Sequence, residues 1–267
     1  MIKVYPYKLG SKSAKQLSEG LGCRRVRSVG SYTPRRGDFI IGWGSSIIPA
    51  FFERVGRLNA SGGNIKFLNP PDKVGNASNK LRTFRILKES GVSTPEWTES
   101  MAVAGDWDEN GWRGSVYIRH KLTGHSGEGI QILNDDMALP PAPLYVKGIE
   151  NHGEYRIHIV DGQVIAYTKK KRPRGSIPTE EQLRIRSHDN GWIYSTLGLR
   201  RLERIETLAV RAVDALELDF GAVDIIKDEN GDVYVLEVNT SPGLAPATLD
   251  AYLTSFRNLI ESHARTI

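Results

Sequence analysis

Two short strands around an Asn-Gly pair restrict this chain more than any other segment. Gly221-Ala222-Val223-Asp224-Ile225-Ile226 and Val233-Tyr234-Val235-Leu236-Glu237-Val238-Asn239 flank Asn230-Gly231, and a two-residue turn at such a dipeptide fixes the pairing of the strands it joins. Counting outward from Asn230-Gly231 sets Asp224 directly opposite Glu237 in a hairpin over Phe220 to Asn239. Asn239, two residues on, shares the face of Glu237. Val223, Ile225, Leu236 and Val238 make the other face apolar. Opposed carboxylates repel, and a divalent cation removes that cost. Two carboxylates and an amide carbonyl form an oxygen-only set that suits magnesium. The plain alternative is an ordinary hairpin with one face in solvent.

Elsewhere the chain reads as alternating strands and helices. Ile2 to Tyr7 alternates, Ser11 to Leu21 is helix-forming, and Cys23 to Ser28 and Asp38 to Gly44 are further strands, which predicts a small α/β unit ending at the breaker Asn69-Pro70-Pro71. Asn76 to Ser90 has a helical stripe stopped by Gly91. Val116 to Leu122, Gly129 to Leu133, Leu144 to Ile149, Glu154 to Val160 and Gln163 to Lys171 read as strands, the last two joined by a tight turn at Asp161-Gly162. Residues 172 to 200 read as a long polar loop, Arg201 to Leu216 and Pro246 to Ala264 as helices. Of 267 residues, 39% are hydrophobic and 25% charged, a globular composition. The longest apolar run, Phe39 to Phe52, is broken by Gly42, Gly44 and Pro49, so no membrane span is expected. Met1 to Pro6 has no secretory h-region, and a single cysteine, Cys23, gives neither a disulfide framework nor a Cys-based zinc site. A cytoplasmic protein is the expectation.

A second constellation lies upstream of the hairpin. Gly124-His125-Ser126-Gly127-Glu128-Gly129 stands between two strands, and its glycines let backbone N–H groups converge on anionic oxygens. Ile130 and Gln131 stand where a Walker A loop needs Lys and Ser/Thr, so any phosphate binding is of another kind, and a simple turn is the alternative. In the preceding strand Tyr117, Arg119 and Lys121 share a face; in Glu154 to Val160, Glu154, Arg156 and His158 do. Arg156 either meets an anionic ligand or pairs with Glu154, and His158 reads as a satisfied strand histidine.

Glu237-Val238-Asn239-Thr240-Ser241-Pro242-Gly243-Leu244, preceded at this spacing by Val223-Asp224, resembles the metal-binding end of the ATP-grasp superfamily. It is similar to carboxylate-amine ligases of the glutamate-adding and D-alanine:D-alanine ligase types. The resemblance spans about residues 76 to 265 and implies an α+β ATP-grasp fold: a small N-terminal α/β pre-domain, residues 1–72, then two α+β subdomains, 73–145 and 146–267, clamping ATP. It implies that Asp224, Glu237 and Asn239 hold two magnesium ions, with manganese as a substitute. Lys80, Arg119 and Lys121, with the loop residues Gly124, His125, Ser126, Gly127 and Gly129, would hold the phosphates. Arg119 stands where similar proteins carry a lysine, which leaves the choice between Arg119 and Lys121 open. Tyr145, Val146 and Lys147 would meet adenine through the backbone, and Glu154 the ribose. Arg156 and Lys169 would face the reacting phosphate, Ser241 and Gly243 the acceptor.

The implied reaction is ATP-dependent C–N ligation through an acylphosphate, on small-molecule or peptide carboxylate and amine substrates. A kinase on the same nucleotide scaffold is one alternative. The excess of 36 Lys plus Arg over 31 Asp plus Glu, with clusters at residues 24–36 and 169–174, keeps a nucleic-acid-binding protein as another, although no nucleic acid is required. No nucleophilic triad is seen: Cys23 lacks a motif, and Gly44-Ser45-Ser46 is not Gly-x-Ser-x-Gly. The acid, the amine and the oligomeric state are not readable.

Overall fold

Both hairpins form with one extra residue in a strand, and these two bulges decide which side chains face the cleft. The computed structural model describes residues 1–26, 32–109, 114–124, 128–133, 138–173, 175, 177, 179, 182–183, 186 and 190–266, without the side chains of 108 and 109. In the acidic hairpin, β12 (Phe220–Lys227) and β13 (Val233–Asn239) pair Lys227 with Val233 and Ile225 with Val235. The connection is therefore a three-residue loop closed by Asp228 and Asp232, whose backbone N–H and C=O meet at 3.0 Å, rather than a two-residue turn. One extra residue at Leu236 restores the count, and Asp224 does oppose Glu237. The bulge lifts Leu236 off the buried face and puts Val235 there instead, beside Val223, Ile225 and Val238.

The second hairpin joins β9 (Gly153–Val160) to β10 (Gln163–Lys171), with Asp161 and Gly162 at φ of 50° and 69°, as a type I′ turn requires. Its ladder starts at Val160 opposite Gln163 but shifts between Val164 and Ala166, so that Tyr155 opposes Lys169. With β11 (Ile193–Ser195) these strands form a five-stranded sheet ordered β11-β10-β9-β12-β13. One face packs on α6 (Glu203–Ala215) through Tyr155, Ile157, Val223, Leu208 and Ala212. The other carries the polar groups described below.

The N-terminal unit is a parallel sheet, order β2-β1-β3-β4, of β1 (Ile2–Pro6), β2 (Arg24–Arg25), β3 (Phe39–Trp43) and β4 (Lys66–Leu68), with α1 (Lys12–Gly20) and α2 (Phe52–Ala60). Its core is shared. Val4, Leu17 and Trp43 pack with Phe220 of the large sheet and with Tyr252 and Phe256 of the closing helix α7 (Pro246–Ala264).

The breaker Asn69 turns out to be a clamp. At φ 47° and fully buried, its side chain accepts from the backbone N–H groups of Asp219 and Phe220 and donates to the Phe220 carbonyl at 2.8 Å. Asn69→Ala strands those buried groups, and an unfolding free energy lower by about 3 kcal/mol is expected from urea denaturation.

A third sheet, ordered β5-β8-β6-β7, contains β5 (Trp97–Thr98), β6 (Val116–Arg119), β7 (Ile130–Ile132) and β8 (Leu144–Lys147), with α5 (Met101–Glu109) against it. The helix expected over Asn76 to Ser90 is two helices, α3 (Pro71–Ser78) and α4 (Lys80–Glu89). Asn79 breaks them and caps the second by accepting from the Arg82 N–H at 3.0 Å. β11 and α5 are elements that the sequence reading does not contain. Among the described residues no helix is long and apolar enough to cross a membrane.

Candidate active site

The polar face of the five-stranded sheet is built by pairing. Asp224 lies opposite Arg156 on one side and Glu237 on the other. Arg156 donates from Nε to Asp224 Oδ1 and from Nη2 to Oδ2, both at 2.6 Å, a two-pronged pair in which the Arg156 side chain is 18% and that of Asp224 7% exposed. The Tyr194 hydroxyl of β11 stands 3.5 Å from Asp224 Oδ2, and its ring lies 4.3 Å under the Arg156 guanidinium. Burial alone would make Arg156 easier to deprotonate, but Asp224 outweighs it and holds the guanidinium charged. Burial and then Asp224 push the Tyr194 phenol far up.

Glu237 meets Lys80 Nζ at 2.5 Å and accepts from Asn239 Nδ2 at 2.8 Å. Burial would raise its pKa, yet Lys80 and then Arg156 and Asn239 hold the carboxyl well below the usual carboxylate range. The repulsion expected between Asp224 and Glu237 is thus met by one protein cation on each. Lys80 is held at the start of α4, where its backbone N–H donates to the Leu122 carbonyl at 2.8 Å.

Arg119 faces the same cleft. Its Nε is buried without a hydrogen-bond partner among the described residues, and burial lowers its pKa with only Glu237 opposing. Such an orphaned donor beside Lys80 is a place for an anionic oxygen. Arg119 and Lys121 both line a small cavity of about 60 Å³ with Lys80, Gly124 and Glu237; Lys121 is more exposed and pairs with Glu128. Gly129 has φ +72°, and a Cβ there would lie 2.9 Å from the Lys121 side chain, so this hairpin closes only with glycine. His125, Ser126 and Gly127 lie outside the described residues.

One expectation is corrected, and two further placements bear on the readings above. Lys169 lies on the opposite face from Arg156, with its ammonium 5.4 Å over the Tyr155 ring. Lys170 takes the cleft side and pairs with buried Glu154. The cause is the bulge in β10: without it Lys169 would oppose Glu154. Second, Tyr145 and Val146 sit in a strand paired on both edges, and the N–H groups of Lys147 and Gly148 donate to Glu96 and Ser115. That segment therefore offers no open row of backbone donors. The Tyr145 ring is in the core, its hydroxyl on the Pro140 carbonyl, and Lys147 Nζ is 3.1 Å from Glu96. Third, Arg156 pairs with Asp224 and not with Glu154. His158 is a buried strand histidine whose Nδ1 is 3.2 Å from the Tyr252 hydroxyl, and burial, helped by Arg156, holds it down to about 3 and therefore neutral.

A larger cavity of about 340 Å³ adjoins the first at Lys80 and Gly124. Ser241 and Asn239 line it from one side and Gly44, Ser45 and Ser46 from the N-terminal unit. Gly44, at φ +77°, comes so close to Ser241 that a Cβ would lie 2.4 Å from its hydroxyl oxygen. Gly243 is not among the lining residues. The sequence reading missed Tyr194, Lys170 and Arg186, the last stacked 4.6 Å over the Trp192 ring. Alternation in β10 marks Lys170 only once the bulge is known. Tyr194 and Arg186 fall within what reads as loop, with no periodic signal.

Comparison with known proteins bears on this arrangement. A family described as RimK-like ATP-grasp domain matches residues 144–254, the stretch that holds Glu154, Arg156, Asp224, Glu237 and Asn239. The chain is 26% identical over 227 residues to the tetrahydromethanopterin:alpha-L-glutamate ligase of Methanocaldococcus jannaschii, covering 76% of this chain and 69% of that one. It is also 26% identical to a D-alanine–D-alanine ligase of a Synechococcus strain, over 65% of this chain and 57% of that one. Among solved structures, the ATP-grasp ligase PsnB, complexed with a phosphomimetic variant of its minimal precursor, Mg and ADP, superposes with a TM-score of 0.66 at 15% identity, 98% of each chain being covered. The D-alanine–D-alanine ligase of Bacillus anthracis superposes with 0.66 at 19%, covering 99% of this chain and 97% of that one. At such identities the superpositions speak for the fold, which is the mixed α/β ATP-grasp architecture, while the sequence matches speak for the lineage. The chain is thus similar in sequence to RimK-like ATP-grasp domains over residues 144–254 and to ATP-dependent carboxylate-amine ligases over most of its length, and it has their ATP-grasp fold.

Proposed function

We propose that the protein joins a small-molecule or peptide carboxylate to an amine, with ATP and Mg²⁺, through an acylphosphate. The observation that carries this reading is the cluster of Asp224, Glu237 and Asn239 on one sheet face, with Arg156, Lys80 and the Arg119 Nε, which has no partner among the described residues, beside it. In this reading residues 1–72 form the N-terminal unit, and 73–145 and 146–267 the two halves that clamp the nucleotide.

The oxygen donors of Asp224, Glu237 and Asn239 fit a hard divalent cation, one or two ions, with Mn²⁺ able to replace Mg²⁺. When bound, the cation neutralises charge on the ATP phosphates. Arg119 and Lys80, with Lys121 at the rim, bind phosphate oxygens. Arg156, held in one plane by Asp224 and Tyr194, presents fixed positive charge toward the transferring group. An oxygen of the substrate carboxylate attacks the γ-phosphorus, the bond to the β-phosphate oxygen breaks, and ADP leaves. The amine then attacks the acyl carbon, phosphate departs, and the amine loses a proton. Glu154 lies next to Asn151 and Lys170, in reach of a nucleotide on the Arg156 side of the sheet.

The test is ADP release in the presence of acid and amine pools, with product masses read in parallel. Release that needs both and yields an amide is expected. A phosphorylated acceptor without amide would assign the site to a kinase.

A further inference from the structure

The charge of the chain is divided by position. Residues 1–68, the N-terminal unit up to the end of β4, hold twelve Lys and Arg against three Asp and Glu, whereas the remaining residues hold 24 against 28. Lys80, Arg119 and Arg156, the cations of the cleft, all lie in that acidic remainder, so the positive surplus is not accounted for by a nucleotide. The three acids of the N-terminal unit are already engaged. Glu19 and Glu53 pair with Lys15 and Arg57 one helical turn away. Asp38, 1% exposed, accepts from the Tyr32 hydroxyl and the Arg35 N–H.

Five of the other cations gather on one side of the sheet. Lys3 and Arg24 are paired residues of β1 and β2, so their side chains leave the same face, where the Lys3 ammonium stands 5.7 Å over the Tyr32 ring. The segment from Tyr32 to Arg36 runs from there to α2. Arg54 Nε donates to the Pro34 carbonyl at 3.1 Å and Arg36 Nη2 to the Ser61 carbonyl at 3.0 Å. Arg24, Arg35, Arg36 and Arg54 are exposed, and among the described residues no carboxylate pairs with any of these four or with Lys3. Four of the five are arginines, and the backbone carbonyls take one N–H each from Arg36 and Arg54, leaving the rest of each fork for a ligand. Guanidinium forks match phosphate oxygens, and several of them with no acid between suit a partner that repeats a negative charge along its length. The acidic remainder of the chain repels the same partner, which fixes the side it approaches. We propose that this face of the N-terminal unit binds nucleic acid through its phosphates, without reading the bases. The inference stands beside the ligase reading and does not rest on it.

Fluorescence polarisation of labelled single-stranded and duplex oligonucleotides with the full chain tests it. Binding at about 50 mM salt is expected, and on single strands the logarithm of the binding constant should fall with that of salt at a slope of about −3.5, the value for five neutralised phosphates. Joint replacement of Arg24, Arg35 and Arg36 by Ala is expected to weaken binding by at least about tenfold and to flatten the slope by about 2. Joint replacement of Arg85, Lys88 and Arg204 by Ala removes the same charge from the rest of the surface and should leave affinity within about twofold. Should the first variant unfold, Arg24→Glu on the exposed edge strand is read instead, with a loss of at least about threefold expected. Absence of binding at low salt, equal losses in the two triple variants, or unchanged affinity in Arg24→Glu overturns the inference. Tighter binding to anionic phospholipid vesicles or to polyglutamate than to either oligonucleotide also overturns it and gives the face to that partner. In each of these cases the ligase reading is untouched.

Discussion

Glu237→Gln is expected to leave the fold intact and to lower turnover by at least about 10³-fold, the scale at which loss of one group that stabilises transition-state charge is felt. The substitution keeps size and one carbonyl oxygen for Lys80 but removes the negative charge. Glu237 is the carboxylate on which Lys80, Asn239 and the long-range charge of Arg156 converge, and its β13 backbone is fixed by the Leu236 bulge. Far-UV circular dichroism and the denaturation midpoint should stay near wild type while acid-dependent ADP release collapses. Asn239→Ala is expected to act in the same direction. Retention of more than a tenth of the activity in Glu237→Gln would remove this carboxylate from the reaction.

Asp224→Ala should have the larger effect on stability. It leaves the Arg156 guanidinium buried without its two-pronged partner, and breaking such a pair costs about 3–5 kcal/mol. Tyr194 stacks on that guanidinium and offers no charge to replace Asp224. Joint replacement of Asp224 by Ala and Arg156 by Met removes the uncompensated charge, so the double variant is expected to regain much of the lost stability in urea denaturation, though not activity. If the single variant unfolds at the wild-type midpoint, the pair does not hold the sheet face as described.

How far the sequence carried depended on two bulges. The acidic pair was legible because two departures from an ideal hairpin cancel: a three-residue loop in place of two, and one extra residue at Leu236. Counting from Asn230-Gly231 thus reached the right partners by an arrangement the sequence does not announce, and it put Leu236 on the wrong face. In the other hairpin a single bulge goes uncompensated, and it exchanges Lys169 for Lys170. Alternation gives parity within a strand, but an inserted residue flips it for everything beyond. Tyr194 was beyond reach for a different reason. A three-residue strand within a polar stretch has no periodic signal, and its place beside Asp224 is set by pairing of Lys170 with Tyr194. Asn69 read only as a breaker because its value lies in hydrogen bonds to residues 150 positions away. The closing helix Pro246–Ala264 and the limits of the acidic hairpin are legible in the sequence with the bounds they have, since a proline start and turn residues are local signals.

If this sheet face activates a carboxylate by phosphorylation, the fate of one oxygen atom shows it. An acid that supports ADP release, labelled with ¹⁸O in its carboxylate, can be converted with ATP, Mg²⁺ and an amine, and the products read by mass spectrometry. One ¹⁸O from the acid is expected in each inorganic phosphate released, with ADP unlabelled. Label found in AMP, or absent from phosphate while amide forms, would contradict the account.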